Sequence, residues 1–120
     1  MKFDLHSHST ASDGSLRPAD LVDLAARRGV DVLALTDHDE LAGLEEARAA
    51  ANSHGIRLVN GVEISANWGD DVSVHVVGLN VDPQCTPLRD GLAQIRRTRQ
   101  TRAQRIAASL ADAGVEGALE

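Results

Sequence analysis

The stretch VDVLALTDHD, residues 30–39, decides the fold class of this chain. Residues 30–36 form a nearly continuous apolar run, which is typical of a strand buried in a parallel sheet. The run ends in two aspartates on either side of a histidine, followed by a glutamate, and this polar cluster predicts a loop. The stretch therefore indicates a buried strand whose carboxyl end carries carboxylate and imidazole side chains.

The segments on both sides of this strand alternate between predicted strands and helices. The predicted elements are a strand over Lys2–His6, a helix that begins at Pro18 and stops at Gly29, a helix over Ala42–His54, a strand over Ile56–Ser65, a strand over Val72–Leu79 and a helix over Leu88–Ala113. The turn sequence NWGDD predicts a hairpin between the last two strands. Strands that alternate with helices predict an α/β fold with a parallel sheet, either open or part of a barrel.

Composition excludes several classes of protein. The chain has 120 residues, of which 42% are apolar, so it can form one globular domain with a core. Its net charge of −6 argues against a protein that coats nucleic acids or membranes, because phosphate groups favour positive charge. The single cysteine cannot form an internal disulfide, and the first residues contain no apolar run of a signal peptide or membrane span. We therefore expect a cytoplasmic protein with no membrane partner.

Histidines and carboxylates occur where the predicted strands end. Because the carboxyl ends of parallel strands meet at one edge of the sheet, we expect these side chains to lie together. His6 and His8 are two residues apart, and side chains two residues apart in an extended chain point the same way. Two ligands of one metal require this orientation. The residues of this kind are His6, His8, Asp13, Asp37, His38, Asp39, Glu63 and His75.

Each of these residues also has a simpler interpretation when it is taken alone. The alternatives are a solvated chain end for His6 and His8, a helix N-cap for Asp37 or Asp39, a solvent-facing strand position for Glu63, and a hydrogen-bonded core position for His75. Their joint placement at one edge is not explained by these alternatives and favours a metal cluster. His54 is the last residue of a predicted helix and does not lie at the end of a strand, so we expect it only to interact with the helix dipole.

Four motifs, in this order, resemble the first motifs of the PHP (polymerase and histidinol phosphatase) superfamily: DLHSHSTASDG, LALTDHD, NGVEIS and HVVGL. Members of that superfamily bind two or three divalent metals and hydrolyse phosphoesters. The resemblance covers essentially the whole chain. Residues 13–43 and 62–82 are most similar to the stand-alone bacterial enzymes, which are described as 3′,5′-nucleotide bisphosphatases and 5′-to-3′ exoribonucleases.

The resemblance implies a fold and a set of metal ligands. Residues 1–84 would form the N-terminal half of a distorted (β/α)7 barrel, and residues 85–120 a long helix that begins a helical insertion. The implied ligands are His6, His8 and Glu63 for one metal, Glu63 and His75 for a second, and Asp13 and His38 for a third, with Asp37 and Asp39 orienting a ligand histidine. Such a ligand set suits Mn²⁺, Fe²⁺ or Zn²⁺.

The implied function is a metal-dependent phosphoesterase that acts on a nucleotide or an oligonucleotide end through a metal-bound hydroxide. Two other functions remain open, namely a non-catalytic or polymerase-associated metal-binding module and a hydrolase of the amidohydrolase type. The family pattern continues with a further histidine and an Asp-x-His pair, which this sequence does not reach. We therefore expect the rest of the barrel in a longer parent protein or another chain, and poor activity from these 120 residues alone.

The long third helix carries arginines on its predicted inner stripe. The apolar positions Leu88, Leu92 and Ile95 extend at helical spacing to 99, 102, 106 and 110. Arg99 and Arg102 occupy two of these positions, and guanidinium groups bind phosphate well. The alternative is a solvated basic face with extended side chains. The stripe predicts that Arg99 and Arg102 turn toward the phosphates of a substrate.

Overall fold

The computed structural model describes residues 1–119 and contains one sheet with three helices. In chain order the elements are β1 (Phe3–Asp4), α1 (Pro18–Arg27), β2 (Val32–Leu35), α2 (Leu44–His54), β3 (Arg57–Trp68), β4 (Val72–Leu79) and α3 (Thr86–Asp112). The predicted α/β fold, in which strands alternate with helices before a long helix, is confirmed. Most predicted boundaries move by one to three residues, as is usual for patterns read from sequence.

The sheet has the strand order β1-β2-β3-β4. Strands β1, β2 and β3 are parallel, and β4 returns antiparallel to β3 with Trp68 opposite Val72. Gly69 has φ +72°, so it supplies the left-handed conformation that the tight turn between these strands requires. The predicted hairpin is therefore confirmed.

Strand β1 is shorter than predicted, with ladder pairs only at Phe3 and Asp4. The chain still follows β2 beyond that point, because the backbone N–H of Thr36 donates to the carbonyl of Ser7 at 2.8 Å. The hydroxyl of Ser7 also donates to the carbonyl of Ala34 at 2.6 Å. These contacts carry the segment after β1 to the carboxyl end of β2.

The hydrophobic core lies between β2 and helices α1 and α2. All residues of β2 are buried, as the apolar run predicted, and Leu33 and Leu35 are the largest of them. Val22 of α1 and Leu44 of α2 pack into the same cluster. Complete burial of an aliphatic side chain contributes about 1.5–3 kcal/mol, so this cluster fixes both helices on the sheet.

Helix α3 projects beyond this core, and Leu92 is its one buried residue among those the structure describes. The predicted inner stripe is therefore wrong beyond Ile95 as a statement about burial, since Arg99 and Arg102 are exposed and Ile106 is 50% exposed. No element of residues 1–119 packs over this distal half of the helix. The division of the chain into residues 1–84 and 85–120 remains a prediction.

None of the helices in residues 1–119 combines the length and the apolar character that crossing a membrane requires.

Candidate metal centre

The centre forms where β2 and β3 continue to pair beyond the last residue of β2. His38 and Glu63 make an isolated parallel bridge, in which Glu63 N–H donates to Asp37 and Asp39 N–H donates to Glu63, both at 3.0 Å. Residues paired in this way project to one face of a sheet. Because the segment Asp37–Asp39 follows β2 almost directly, its pairing with β3 brings His38 beside Glu63.

Strand β4 brings His75 to the centre through the register of the hairpin. Ser65 lies opposite His75, and Glu63 lies two residues before Ser65. Side chains alternate between the faces of a strand, and directly opposed residues share a face. His75 therefore lies on the same face as Glu63, as the contact between them shows, with Nδ1 3.4 Å from Oε1 of Glu63.

The carboxylate of Glu63 lies at the middle of this arrangement. Its Oε2 atom is 3.1 Å from Nε2 of His6, 2.8 Å from Nε2 of His8 and 3.5 Å from Nδ1 of His38. The Glu63 side chain is 9% exposed, whereas those of His6 and His75 are 54% and 49% exposed. A buried carboxylate thus forms the floor of a site whose imidazole rim is open to solvent.

A second carboxylate joins the site from the loop after β1. Asp13 Oδ1 lies 2.8 Å from Nδ1 of His8, and Asp13 Oδ2 lies 3.3 Å from Nε2 of His38. Gly14 closes this loop, because a Cβ on it would lie 2.3 Å from the backbone oxygen of His8. The loop thus places the two carboxylate oxygens of Asp13 against His8 and His38.

The donor atoms fit divalent metal ions. Three overlapping groups have ligand atoms within 4.8 Å of one another: His6, His8 and Glu63; His8, Asp13 and His38; His38, Glu63 and His75. Ligand atoms about 2.0–2.2 Å from one cation lie about 3 Å apart, and the first group has separations of 2.8–3.1 Å. Mixed imidazole and carboxylate sets suit first-row divalent metals. The predicted ligands are thus brought together, and His38 and His8 each join one more group than the resemblance implied.

The histidines shift the pKa of both carboxylates. Burial would raise the pKa of Glu63, but the hydrogen bond to His6 and the charges of His38, His6 and His8 together hold it below 4.5. A hydrogen bond from His8 is the main reason that the pKa of Asp13 lies below 3.8. Both carboxylates are therefore ionised at neutral pH, the state that binds a cation.

Asp37 and Asp39 contact backbone and hydroxyl groups instead of a histidine ring. Asp37 accepts hydrogen bonds from the backbone and hydroxyl of Ser9 and from the hydroxyl of Ser12, at 2.6–2.7 Å. Asp39 accepts from the backbone and hydroxyl of Ser65, both at 2.8 Å. The two aspartates therefore fix the loops and strands that carry the histidines. Neither caps α2, whose N-cap residue is Gly43.

Two arginines of α3 reach the edge of the centre. Arg99 NH1 lies 3.0 Å from Oδ2 of Asp39, and Arg96 NH1 donates to the Asp39 carbonyl at 2.8 Å. The predicted stripe does not include Arg96, because it continues from Ile95 to position 99. Arg96 lies four residues after Leu92 and therefore on the same side of the helix as this buried residue. Arg102 makes no hydrogen bond or ion pair with the described residues.

A small pocket lies between these arginines and the metal ligands. Its volume is about 260 Å³, and its lining consists of Ala11, Ser12, Asp13, His38, Glu40, Arg96 and Arg99. Glu40 lies 3.3 Å from Nε of Arg96 and so balances part of the positive charge. His54 lies away from the centre, with Nε2 3.4 Å from Asp23, as expected for a residue outside it.

Comparison with known proteins agrees with this geometry. The family described as PHP domain matches residues 4–112. The chain belongs to the PHP domain family. The match includes every residue of the three ligand groups, so the resemblance noted in the sequence motifs is confirmed.

Two curated relatives of this PHP chain are named for phosphoester hydrolysis. A 3′,5′-nucleoside bisphosphate phosphatase of Chromobacterium violaceum is 50% identical over 118 residues, which are 98% of this chain and 41% of the relative. A 5′-3′ exoribonuclease of Haemophilus influenzae is 47% identical over 119 residues, which are 99% of this chain and 43% of the relative. The chain thus spans about two fifths of the length of these relatives.

Two solved structures share the fold of this PHP chain. An amidohydrolase from Chromobacterium violaceum, with bound sulfate and no metal, matches with a TM-score of 0.89 at 50% identity, over 98% of this chain and 41% of its own. A candidate metal-dependent phosphoesterase from Bifidobacterium adolescentis matches with a TM-score of 0.85 at 35% identity, over 92% of this chain and 38% of its own. The sheet and its helices therefore form part of a PHP-like (β/α) barrel, which the long helix α3 follows in the chain.

Proposed function

We propose that this chain forms the metal-binding part of a phosphoesterase that hydrolyses phosphate esters of nucleotides. The substrate class is a nucleoside 3′,5′-bisphosphate or the 5′ end of a short RNA. The observation that carries the proposal is the buried Glu63 carboxylate, which lies within 3.5 Å of four imidazole rings. The names of the two curated relatives support phosphate esters as the substrate.

The centre would hold two or three divalent cations, and Mn²⁺, Fe²⁺ and Zn²⁺ suit its ligands. His6, His8 and Glu63 would hold one cation, His38, Glu63 and His75 a second, and His8, Asp13 and His38 a third. When bound, such cations activate a water molecule and neutralise negative charge on a phosphoryl group. Glu63 contacts the imidazole rings of all four histidines, so its side chain is the ligand whose loss would disturb most of the centre.

The chain's own side chains leave one direction of approach for a substrate. Glu63 closes the inner side of the centre, and the exposed rings of His6 and His75 leave the outer side open. The pocket beside Asp13 and His38 opens next to this side. A phosphate ester approaching from solvent therefore meets the side lined by His6 and His75 before it meets the buried carboxylate.

Arg99 and Arg96 supply positive charge for the substrate's phosphates from that pocket. Arg99 uses NH1 on Asp39, and a guanidinium group has five N–H donors, so other donors remain for phosphate oxygens. Charge-assisted hydrogen bonds of this kind are about twice as strong as neutral ones. For Arg102 the phosphate role remains a prediction, because its side chain is exposed and makes no hydrogen bond or ion pair with residues 1–119.

The test measures metal content and phosphate release from the complete protein that carries this chain. We expect Mn²⁺, Fe²⁺ or Zn²⁺ by elemental analysis of protein that has never met a chelator, and release of inorganic phosphate from a nucleoside 3′,5′-bisphosphate in the presence of Mn²⁺. Glu63→Gln should remove most of the bound metal and the activity. His54→Ala is the matched control and should change neither, because His54 contacts Asp23 away from the centre.

The possible outcomes separate the three functions. Protein without metal above background overturns the proposal. Metal without release of phosphate from any nucleotide indicates a non-catalytic metal-binding module. Metal together with hydrolysis of amides rather than phosphate esters indicates an amidohydrolase.

A further inference from the structure

The carboxylate of Asp39 is buried next to the metal centre. Asp39 is 0% exposed, and its side chain accepts hydrogen bonds from the backbone and the hydroxyl of Ser65. Arg99 is the one cation that contacts this carboxylate among the described residues. A buried charge is stable only when it is paired and hydrogen-bonded, so Asp39 depends on both partners.

This carboxylate joins the segments that carry three of the metal ligands. Asp39 follows His38 directly, and its N–H donates to the carbonyl of Glu63 at 3.0 Å. Ser65 lies opposite His75 in the hairpin. Asp39 also has φ +51°, a left-handed conformation that aspartate tolerates better than most residues. The Asp39 side chain therefore adds to the backbone pairing that places His38 relative to Glu63 and His75.

Helix α3 supplies the cations at this junction. Arg99 pairs with the Asp39 carboxylate, and Arg96 donates to the Asp39 carbonyl. Leu92 is the one buried residue of the helix, so these polar contacts make up much of its attachment near the centre. The helix is thus linked directly to the residue that follows His38.

We propose that Arg99 is a positioning residue for the metal centre and acts through Asp39. The ion pair keeps the carboxylate buried on Ser65, which holds His38, Glu63 and His75 at the separations that a cation needs. Without Arg99 the uncompensated carboxylate is drawn toward solvent, and its bonds to Ser65 loosen. Helix α3 thereby sets the affinity of these three ligands for a divalent cation.

This inference rests on the metal centre of the proposed function but is separate from the phosphate role of Arg99. A residue that only binds phosphate affects substrate and leaves metal affinity unchanged. A residue that positions ligands affects metal affinity before any substrate is present. Loss of groups that orient metal ligands typically weakens metal affinity roughly 10–100-fold.

The experiment is a calorimetric titration of the metal-free complete protein with Mn²⁺, without substrate. We expect Arg99→Gln to weaken Mn²⁺ binding roughly 10–100-fold. Arg99→Lys keeps the charge and should recover part of the affinity. Arg105→Gln is the matched control on the same helix, because Arg105 is exposed and makes no ion pair with the described residues, and it should bind Mn²⁺ like the unchanged protein.

A double-mutant cycle tests whether the effect passes through Asp39. Asp39→Asn removes the buried charge that needs a cation, so adding Arg99→Gln to it should cause little further loss of Mn²⁺ affinity. Asp39→Asn alone should weaken binding in the same direction as Arg99→Gln, because asparagine cannot accept all of the bonds from Ser65 and Arg99. It serves as the second variant should Arg99→Gln fail to fold by far-ultraviolet circular dichroism.

The outcomes distinguish this inference from the proposed function. Mn²⁺ affinity that stays unchanged in folded Arg99→Gln, or in Asp39→Asn, overturns the positioning role and leaves the proposed function standing. Fully additive losses in the cycle also overturn it, since Arg99 would then act independently of Asp39. Absence of Mn²⁺ binding by the unchanged protein instead contradicts the proposed function itself.

Discussion

Asp37 accepts two hydrogen bonds from Ser9, one from the backbone N–H at 2.6 Å and one from the hydroxyl at 2.7 Å. Both residues are buried, with exposures of 1% and 0%. Ser9 directly follows His8, and Asp37 directly precedes His38. This contact therefore connects the loop that carries His8 and Asp13 to the end of β2, next to His38.

Replacing this carboxylate should destabilise the protein. In Asp37→Asn the amide nitrogen cannot accept a hydrogen bond, so it faces donors of Ser9 or Ser12 and leaves a buried polar group unpaired. Such a group costs about 1–3 kcal/mol. We expect the free energy of unfolding, measured by urea denaturation of metal-free protein, to fall by about this amount.

Asp70→Asn is the control for this substitution, because Asp70 lies exposed in the turn between β3 and β4. Surface changes of this kind usually stay within about 0.5 kcal/mol. Equal stabilities of Asp37→Asn and Asp70→Asn would contradict the role given to the Ser9 contact.

Two glycines should respond in opposite ways to alanine. A Cβ on Gly14 would lie 2.3 Å from the carbonyl oxygen of His8, and the backbone there can give way only by moving the loop. Crowding of this kind costs about 1–3 kcal/mol. Gly91 lies inside α3 with open space around its Cβ position, so Gly91→Ala should add about 0.5–1 kcal/mol through helix propensity.

Thermal unfolding of the two alanine variants checks this prediction, and Mn²⁺ titration adds a second measurement. Gly14→Ala should also weaken Mn²⁺ binding, since the displaced loop changes the 2.8 Å separation between His8 and Asp13. Gly91→Ala should leave Mn²⁺ binding unchanged. A stabilised Gly14→Ala variant would mean that the loop relaxes without strain.

The sequence predicts those parts of the fold that depend on local pattern. The apolar run of residues 30–36 contains a wholly buried β2, and Gly69 marks a hairpin turn that the structure has. The burial of α3 could not be predicted in the same way. Ile106 and Leu110 have helical spacing, but burial needs a partner surface, and no other element of residues 1–119 packs there.

Some parts of the candidate site could likewise be predicted from the sequence, and others could not. The histidines and acids could be placed at one sheet edge because the carboxyl ends of parallel strands converge, and the structure brings all six predicted ligands together. The partners of Asp37 and Asp39 could not be predicted, since serines are frequent in loops and carry no periodic signal. Contacts between distant segments such as Arg99 and Asp39 depend on how α3 docks, which no local pattern specifies.

The stability of the contact between α1 and α2 should depend on pH through Glu46. Its carboxylate accepts a hydrogen bond from the backbone N–H of Ala19 in the first turn of α1, at 2.9 Å, and lies 3.3 Å from Arg17. The hydrogen bond from Ala19 is the main reason that the pKa of Glu46 lies below 4.5. The folded protein therefore holds this proton more weakly than the unfolded chain does.

The sign of the pH dependence follows from that difference. The contribution of Glu46 is fully present above the unfolded pKa of 4.5 and is lost as the pH falls through the lower folded pKa. Glu46→Gln should lower the melting temperature at pH 7, and its difference from the unchanged protein should shrink toward pH 3. Glu116→Gln, at an exposed position in the C-terminal segment, should show little difference at either pH. A Glu46→Gln difference that stays constant from pH 7 to pH 3 in thermal melts would mean that the carboxylate charge does not stabilise the first turn of α1.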